Sequence, residues 1–226
     1  MDQPAEGPAH NQKLERAKHP RFARAYARAV DKMDRRGATE HRRRLLADLH
    51  GSVVEIGAGA GSSFPLYPPA VTHVLALEPD DYLRDLAQQE TSRASVPVTV
   101  AAGVAERIPA DTASLDAVVA SLVLCSVENQ AAVLAEVRRV LKPGGTLAFY
   151  EHVRSEQPLL AAVEDVLTPL WQRAAGGCHP NRDTLRSIRE AGFTIQDNRR
   201  FGFAPSALTP PMAHILGRAT SPGLPD

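Results

Sequence analysis

The chain has 226 residues, 43% of them hydrophobic and 23% charged, with 26 basic residues against 26 acidic ones. That length and composition suit one globular domain whose core needs no disulfide or metal to fold. Zero formal charge argues against a general field for nucleic acid or anionic membrane, and Cys125 and Cys178 form no CxxC pair, so no metal site is expected.

Residues 1–20 are polar, rich in Pro and charge, and aperiodic; they are expected to form a flexible tail. They hold no apolar signal core, and no stretch approaches the roughly 18 apolar residues of a membrane span. A soluble, cytoplasmic protein is expected, with residues 21–226 as its functional domain.

From Arg21 to Leu49 the pattern is helical, with Phe22, Tyr26, Val30 and Met33 on one stripe. Gly37 is expected to separate this helix from a second that carries Leu45, Leu46 and Leu49, the two forming a lid over 21–50. The run His41-Arg42-Arg43-Arg44 reads as a solvated helix face.

Strand–helix alternation follows. Apolar runs at Ser52–Ile56, Val71–Leu77, Val96–Val100, Leu115–Val123 and Thr146–Tyr150 have the character of buried parallel strands. Tyr82–Gln89 and Gln130–Leu141 read as helices between them, the second stopped by Lys142-Pro143-Gly144-Gly145. Pro158–Trp171 reads as an amphipathic helix, and Asn181 as the cap of a short helix closed by Gly192. Phe193–Phe201 and Met212–Ala219 read as an antiparallel hairpin at the sheet edge. The expected fold is α/β: a doubly wound, Rossmann-like seven-stranded sheet, mostly parallel with one antiparallel edge hairpin, in a single domain.

The first strand runs into "VVEIGAGAGSSF". A dinucleotide fingerprint needs G-x-G-x-x-G, but Ser62 stands where its third glycine belongs, and no Gly-Lys-Ser/Thr follows to make a phosphate loop. The spacing is instead Glu55, Gly57, Gly59, Gly61. A carboxylate ahead of the loop repels a pyrophosphate and attracts an ammonium. The ligand expected is a cationic adenosine cofactor without phosphate, which describes S-adenosylmethionine. Glu78, at the end of the second strand, suits the two ribose hydroxyls.

"VVEIGAGAG", "LALEP", "AGVAERIPADTASLDAVVASLVLCSV" and "EVRRVLKPGGTLAFYEH" together resemble, in order, the motifs of class I S-adenosylmethionine-dependent methyltransferases over residues 45–200. The resemblance implies that Gly57, Gly59 and Gly61 line the methionyl part of the cofactor, that Glu78 and the adjoining Pro79 sit at the ribose, and that the Ala105 amide meets the adenine edge. Leu122 joins this set. Val104 stands where many relatives carry Asp, which leaves adenine to backbone groups, apolar packing or Glu106.

Within the family, "SLVLCSVENQ", "YEHV" and "GGCHPNRDT" most resemble a thiol methyltransferase subgroup, and less closely quinone, phospholipid and secondary-metabolite methyltransferases. A small-molecule acceptor is expected, with no nucleic acid and no integral membrane segment; nothing fixes an oligomeric state. His152, just past the fifth strand, is the candidate base. His179, Cys125, Tyr26 and Trp171 are candidate substrate-side residues. Cys125 also reads as a small buried residue, Tyr26 as core or a contact to the cofactor carboxylate, and the Trp171 helix as either core or an apolar lid.

Overall fold

The computed structural model describes residues 8–205 and 209–222. Seven strands form one sheet: β1 (Gly51–Ile56), β2 (Val71–Leu77), β3 (Val98–Ala101), β4 (Leu115–Ser121), β5 (Leu141–His152), β6 (Thr194–Phe203) and β7 (Met212–Thr220). Their order is β3-β2-β1-β4-β5-β7-β6. The first five pair in parallel, and β7 runs antiparallel to both β5 and β6. The helices are α1 (Pro8–Ala17), α2 (Pro20–Met33), α3 (Thr39–Leu46), α4 (Asp81–Glu90), α5 (Gln130–Val140), α6 (Pro158–Ala174) and α7 (Thr184–Glu190).

Alternation along each strand splits the core in two, because successive side chains point to opposite faces. Val54, Ile56, Val118, Ala120, Leu147 and Phe149 pack against the buried stripe of α5 (Val133, Leu134, Val137, Val140) and Ile188 of α7. Val53, Ala117, Val119, Ala148 and Tyr150 face the other way, onto Leu45 and Leu46 of α3 and Ala87 of α4. A parallel sheet covered on both faces is why the strands read as unbroken apolar runs.

Several expectations change. Residues 8–17, read as part of a flexible tail, form α1: its Leu14 is buried, and Lys18 just beyond it bridges Glu15 and Asp81 of α4. A single apolar anchor in a charged segment leaves no periodicity to read. Residues 1–7 of that segment lie outside the described residues. The cap of α7 is Asp183, whose carboxylate accepts from the Arg186 N–H, while Asn181 donates to Asp165. The basic run is not a uniformly solvated face. Arg43 and Arg44 pair with Glu40 at the surface, but Arg42 is buried and paired with Asp34 across the bend at Gly37, and the His41 ring packs on Phe201. The apolar stripe of α6 is largely exposed, Leu159 at 83% and Val166 at 76%, so it is not core. Among the described residues no helix is long and apolar enough to cross a membrane.

Candidate active site

Chain order reverses between β1 and β4, and a crevice opens there beyond the carboxyl ends of the strands, where open α/β sheets bind ligands. A cavity of about 1200 Å³ occupies it, floored by the loops after β1, β2, β4 and β5 and covered by α1, α2 and the turn after α6.

Backbone conformation shapes the glycine loop. Gly57 and Gly59 hold φ of 61° and 59°, a region that costs other residues about 1–2 kcal/mol, and both line the cavity. A Cβ on Gly57 would lie 2.6 Å from Val123, and one on Gly59 3.4 Å from the Tyr26 ring. Gly61 differs: it lies outside the cavity lining, and a Cβ there would meet Phe64 at 2.8 Å and Glu90. The third glycine serves close packing beneath the loop, not the cavity wall.

Glu78 ties this loop to the end of β2. Its Oε2 accepts from the Gly59 N–H at 2.8 Å and its Oε1 from the Asp80 N–H at 2.9 Å. Asp80 in turn caps α4 by accepting from Tyr82 and Leu83. Burial pushes the Glu78 carboxyl up to about 7, with the two N–H donors holding it down in part. Glu55, buried in β1, is pushed up to about 6 by burial, against hydrogen bonds from Ser63 and Tyr67. Tyr26 of α2 and Arg42 of α3 reach the same end of the cavity. Arg42 is a residue that sequence reasoning missed, because the exposed Arg43 and Arg44 beside it hide the inward one. Pro79, Val104, Ala105, Glu106 and Leu122 also line the cavity, Val104 and Ala105 as buried residues.

The opposite wall is built by Glu151. Fully buried, it accepts from the backbone N–H groups of Val123, Leu124 and Cys125, which fixes the loop after β4. Leu122 opens that loop with φ of 62° and donates its N–H to the Tyr150 carbonyl at 2.6 Å. His152 ends β5 opposite His214 of β7, with the rings 4.3 Å apart. Its Nδ1 lies 3.3 Å from Cys178 Sγ and 3.6 Å from Cys125 Sγ, and the sulfurs are 3.7 Å apart. Burial disfavours the charged His152 ring, but the Cys125 sulfur more than offsets this and leaves it above its ordinary value. His214 is pushed down to about 3 by burial and by His152, so it stays neutral. The Cys125 thiol is pushed up by the Cys178 sulfur and by burial.

His179 donates its N–H to the Cys125 carbonyl at 2.7 Å and lines the cavity with Trp171. Among the described residues, His179 Nδ1 and Trp171 Nε1 are buried without a partner. Trp171 thus faces the cavity while the leucines of its helix face outward. Cys178 is a further site residue not foreseen, because 53 residues separate it from Cys125 and only the fold joins them.

A methyltransferase-domain family model matches residues 54–149. A thiol S-methyltransferase from Rattus norvegicus is 35% identical over 184 residues, covering 77% of this chain and 74% of that protein. One from Homo sapiens is 36% identical over 174 residues, covering 74% and 70%. Among solved structures, N-methyltransferase NodS from Bradyrhizobium japonicum, in complex with S-adenosyl-L-homocysteine, shares the fold with a TM-score of 0.62 at 20% identity, covering 84% of this chain and 88% of that one. The methyl donor of such enzymes is S-adenosylmethionine, and the residues present fit it. Two glycines remove the side chains that would fill the cradle, buried carboxylates border it, and unpartnered nitrogens of Trp171 and His179 lie on its far wall. This chain belongs to the class I S-adenosylmethionine-dependent methyltransferases and transfers a methyl group from that cofactor to a small-molecule acceptor.

Proposed function

We propose that the acceptor atom is the sulfur of a small thiol. One observation carries this reading. The three segments most like the thiol methyltransferase subgroup lie far apart in sequence, yet their His152, Cys178 and His179 meet on one wall of the cavity, with Cys125 buried directly behind them. The thiol S-methyltransferase relatives agree with it.

The bound cofactor supplies a methyl group already activated on a sulfonium; the protein supplies alignment and a reactive acceptor. In this reading Gly57 and Gly59 let the methionyl part approach the backbone. Glu55 faces its ammonium, and Arg42 with Tyr26 takes its carboxylate. Glu78 accepts from the ribose hydroxyls beside Pro79, and the Ala105 amide meets adenine between Leu122 and Glu106. His152 activates the acceptor sulfur, with Trp171 and His179 bordering the acceptor. A free thiol titrates near 8.5, so modest local assistance suffices to generate thiolate. Balanced charge supports a small molecule over nucleic acid, and sparse cysteine supports a reducing, cytoplasmic setting.

A panel of thiols, phenols, quinols and amines, assayed by formation of S-adenosylhomocysteine, tests the reading. Turnover with thiols and an S-methyl product by mass spectrometry is the expected result. Turnover with phenols, quinols or amines alone refutes it.

A further inference from the structure

We propose that Cys125, His152 and Cys178 form a zinc site with an open fourth position toward the cavity. Among the described residues, these three present donor atoms that all lie within 4.8 Å of one another. Tetrahedral zinc, with Zn–S near 2.3 Å and Zn–N near 2.0–2.1 Å, places two sulfurs about 3.8 Å apart and each sulfur about 3.5 Å from the nitrogen. The protein holds them at 3.7 Å for the sulfurs and at 3.3 and 3.6 Å for sulfur to Nδ1. All three separations match one ion lying just out of the plane of the three donor atoms, as a tetrahedral ion with an open fourth position does.

The supports of the three ligands are rigid, as a metal site demands. Cys125 is pinned twice, by its N–H to Glu151 at 3.0 Å and by its carbonyl to the His179 N–H at 2.7 Å. Cys178 donates its N–H to the Ala175 carbonyl at 3.1 Å, and His152 is held in the β5–β7 ladder. Arg182 is the nearby cation; its guanidinium is fixed by the carbonyls of Leu124 and Val127 at 2.9 and 2.6 Å. Zinc itself neutralises the two thiolates, and Arg182 offsets the single negative charge that a coordinated acceptor thiolate adds.

Two thiolates and one imidazole leave zinc one ligand short, the arrangement of catalytic rather than structural sites. His152 and Cys178 line the cavity while Cys125 is fully buried beside them, so the vacant coordination direction is toward the acceptor. Soft ligation favours a thiolate there; this part rests on the thiol reading above. The acceptor thiol releases its proton to water and coordinates through sulfur. Its lone pair then forms the new S–CH3 bond as the carbon–sulfonium bond breaks, that electron pair returning to the cofactor's sulfur. The product is a neutral thioether, which zinc holds less well than a thiolate and releases. His152 accordingly acts as a ligand that activates the acceptor through the metal.

The full chain, purified and dialysed with Zn(II) and then freed of loose metal, should retain one zinc per chain by elemental analysis. With Co(II) in its place, thiolate-to-cobalt charge transfer and the intense visible bands of tetrahedral cobalt should appear, and mercaptoethanol should shift them. Cys178→Ser should lose both signals, and circular dichroism with S-adenosylmethionine binding checks that this variant is folded. Metal content equal to that of a metal-free control, or a Cys125–Cys178 disulfide formed in place of metal binding, overturns the proposal. Thiol methylation by a chain shown to be zinc-free overturns it as well while leaving the thiol reading intact. Zinc retained by a chain that methylates only phenols upholds the metal site and refutes the thiol reading.

Discussion

Glu78 carries two tasks with one carboxylate in the proposed reading: it holds the Gly59 loop through backbone N–H groups, and from the cavity lining it would accept from the ribose. Burial raises its proton affinity to about 7 and that of Glu55 to about 6, so the cofactor-free protein keeps much of both protonated in mildly acid solution. Accepting from ribose hydroxyls, or facing an ammonium, requires the ionised forms. Binding therefore releases protons, and affinity is full above about 7 and falls as the pH drops through 7 and then 6. Calorimetry with S-adenosylmethionine from about pH 8 to about pH 5 should show this weakening, and a flat profile counts against both assignments. For folding the sign reverses: the Glu78 contribution is intact below its ordinary 4.5 and is lost as the pH rises through about 7. Glu78→Gln should flatten that part of the stability profile. Gly59→Val should weaken cofactor binding by about tenfold or more, a change of at least about 1.4 kcal/mol. It places a branched side chain at positive φ against Tyr26. Gly144→Val makes a useful control, since Gly144 also has positive φ (75°) but faces open space. It should cost stability and leave affinity unchanged.

At the scale of elements, the contrast lies between α5 and α6, which carry similar apolar stripes. Leu134 of α5 is fully buried, and Leu134→Ala should destabilise by about 2–5 kcal/mol in urea denaturation. Leu159→Gln and Val166→Gln on α6 should stay within about 0.5 kcal/mol. A loss of several kcal/mol from either would mean that the α6 stripe is covered in solution. Sequence pattern gives the amphipathic period of both helices and cannot say which stripe meets the sheet. The strands were legible for a different reason: a parallel sheet covered on both faces demands short, near-continuous apolar runs, and these stand out between glycine and proline turns. The edge hairpin was legible too, because no crossover helix separates its strands. α1 was not, since its one buried leucine has no periodic partner. The α7 cap was misplaced by two residues because Asn181 and Asp183 are both good caps, and only the fold engages Asn181 with Asp165.

Over the whole molecule, the site is divided in the same way as its legibility. The centre of the cofactor end comes from β1, β2 and the loops that follow them, where motif spacing brought Glu55, Gly57, Gly59 and Glu78 together, while Tyr26 and Arg42 reach it from α2 and α3. The acceptor end is assembled from β4, β5 and the turn after α6, so the meeting of Cys125, His152 and Cys178 is a product of topology. Ligand linkage follows from this architecture. S-adenosylmethionine at about 100 times its Kd should stabilise the fold by about 2.7 kcal/mol and raise Tm accordingly. The central claim concerns direction: the transferred methyl leaves the glycine-loop end and meets the wall of His152 and Cys178. A crystal structure with S-adenosylhomocysteine bound tests it most directly. The account predicts the ribose on Glu78, adenine against Ala105, and the cofactor sulfur opening toward His152 and Cys178. A sulfur directed away from that wall, or a ribose that leaves Glu78 untouched, would contradict it.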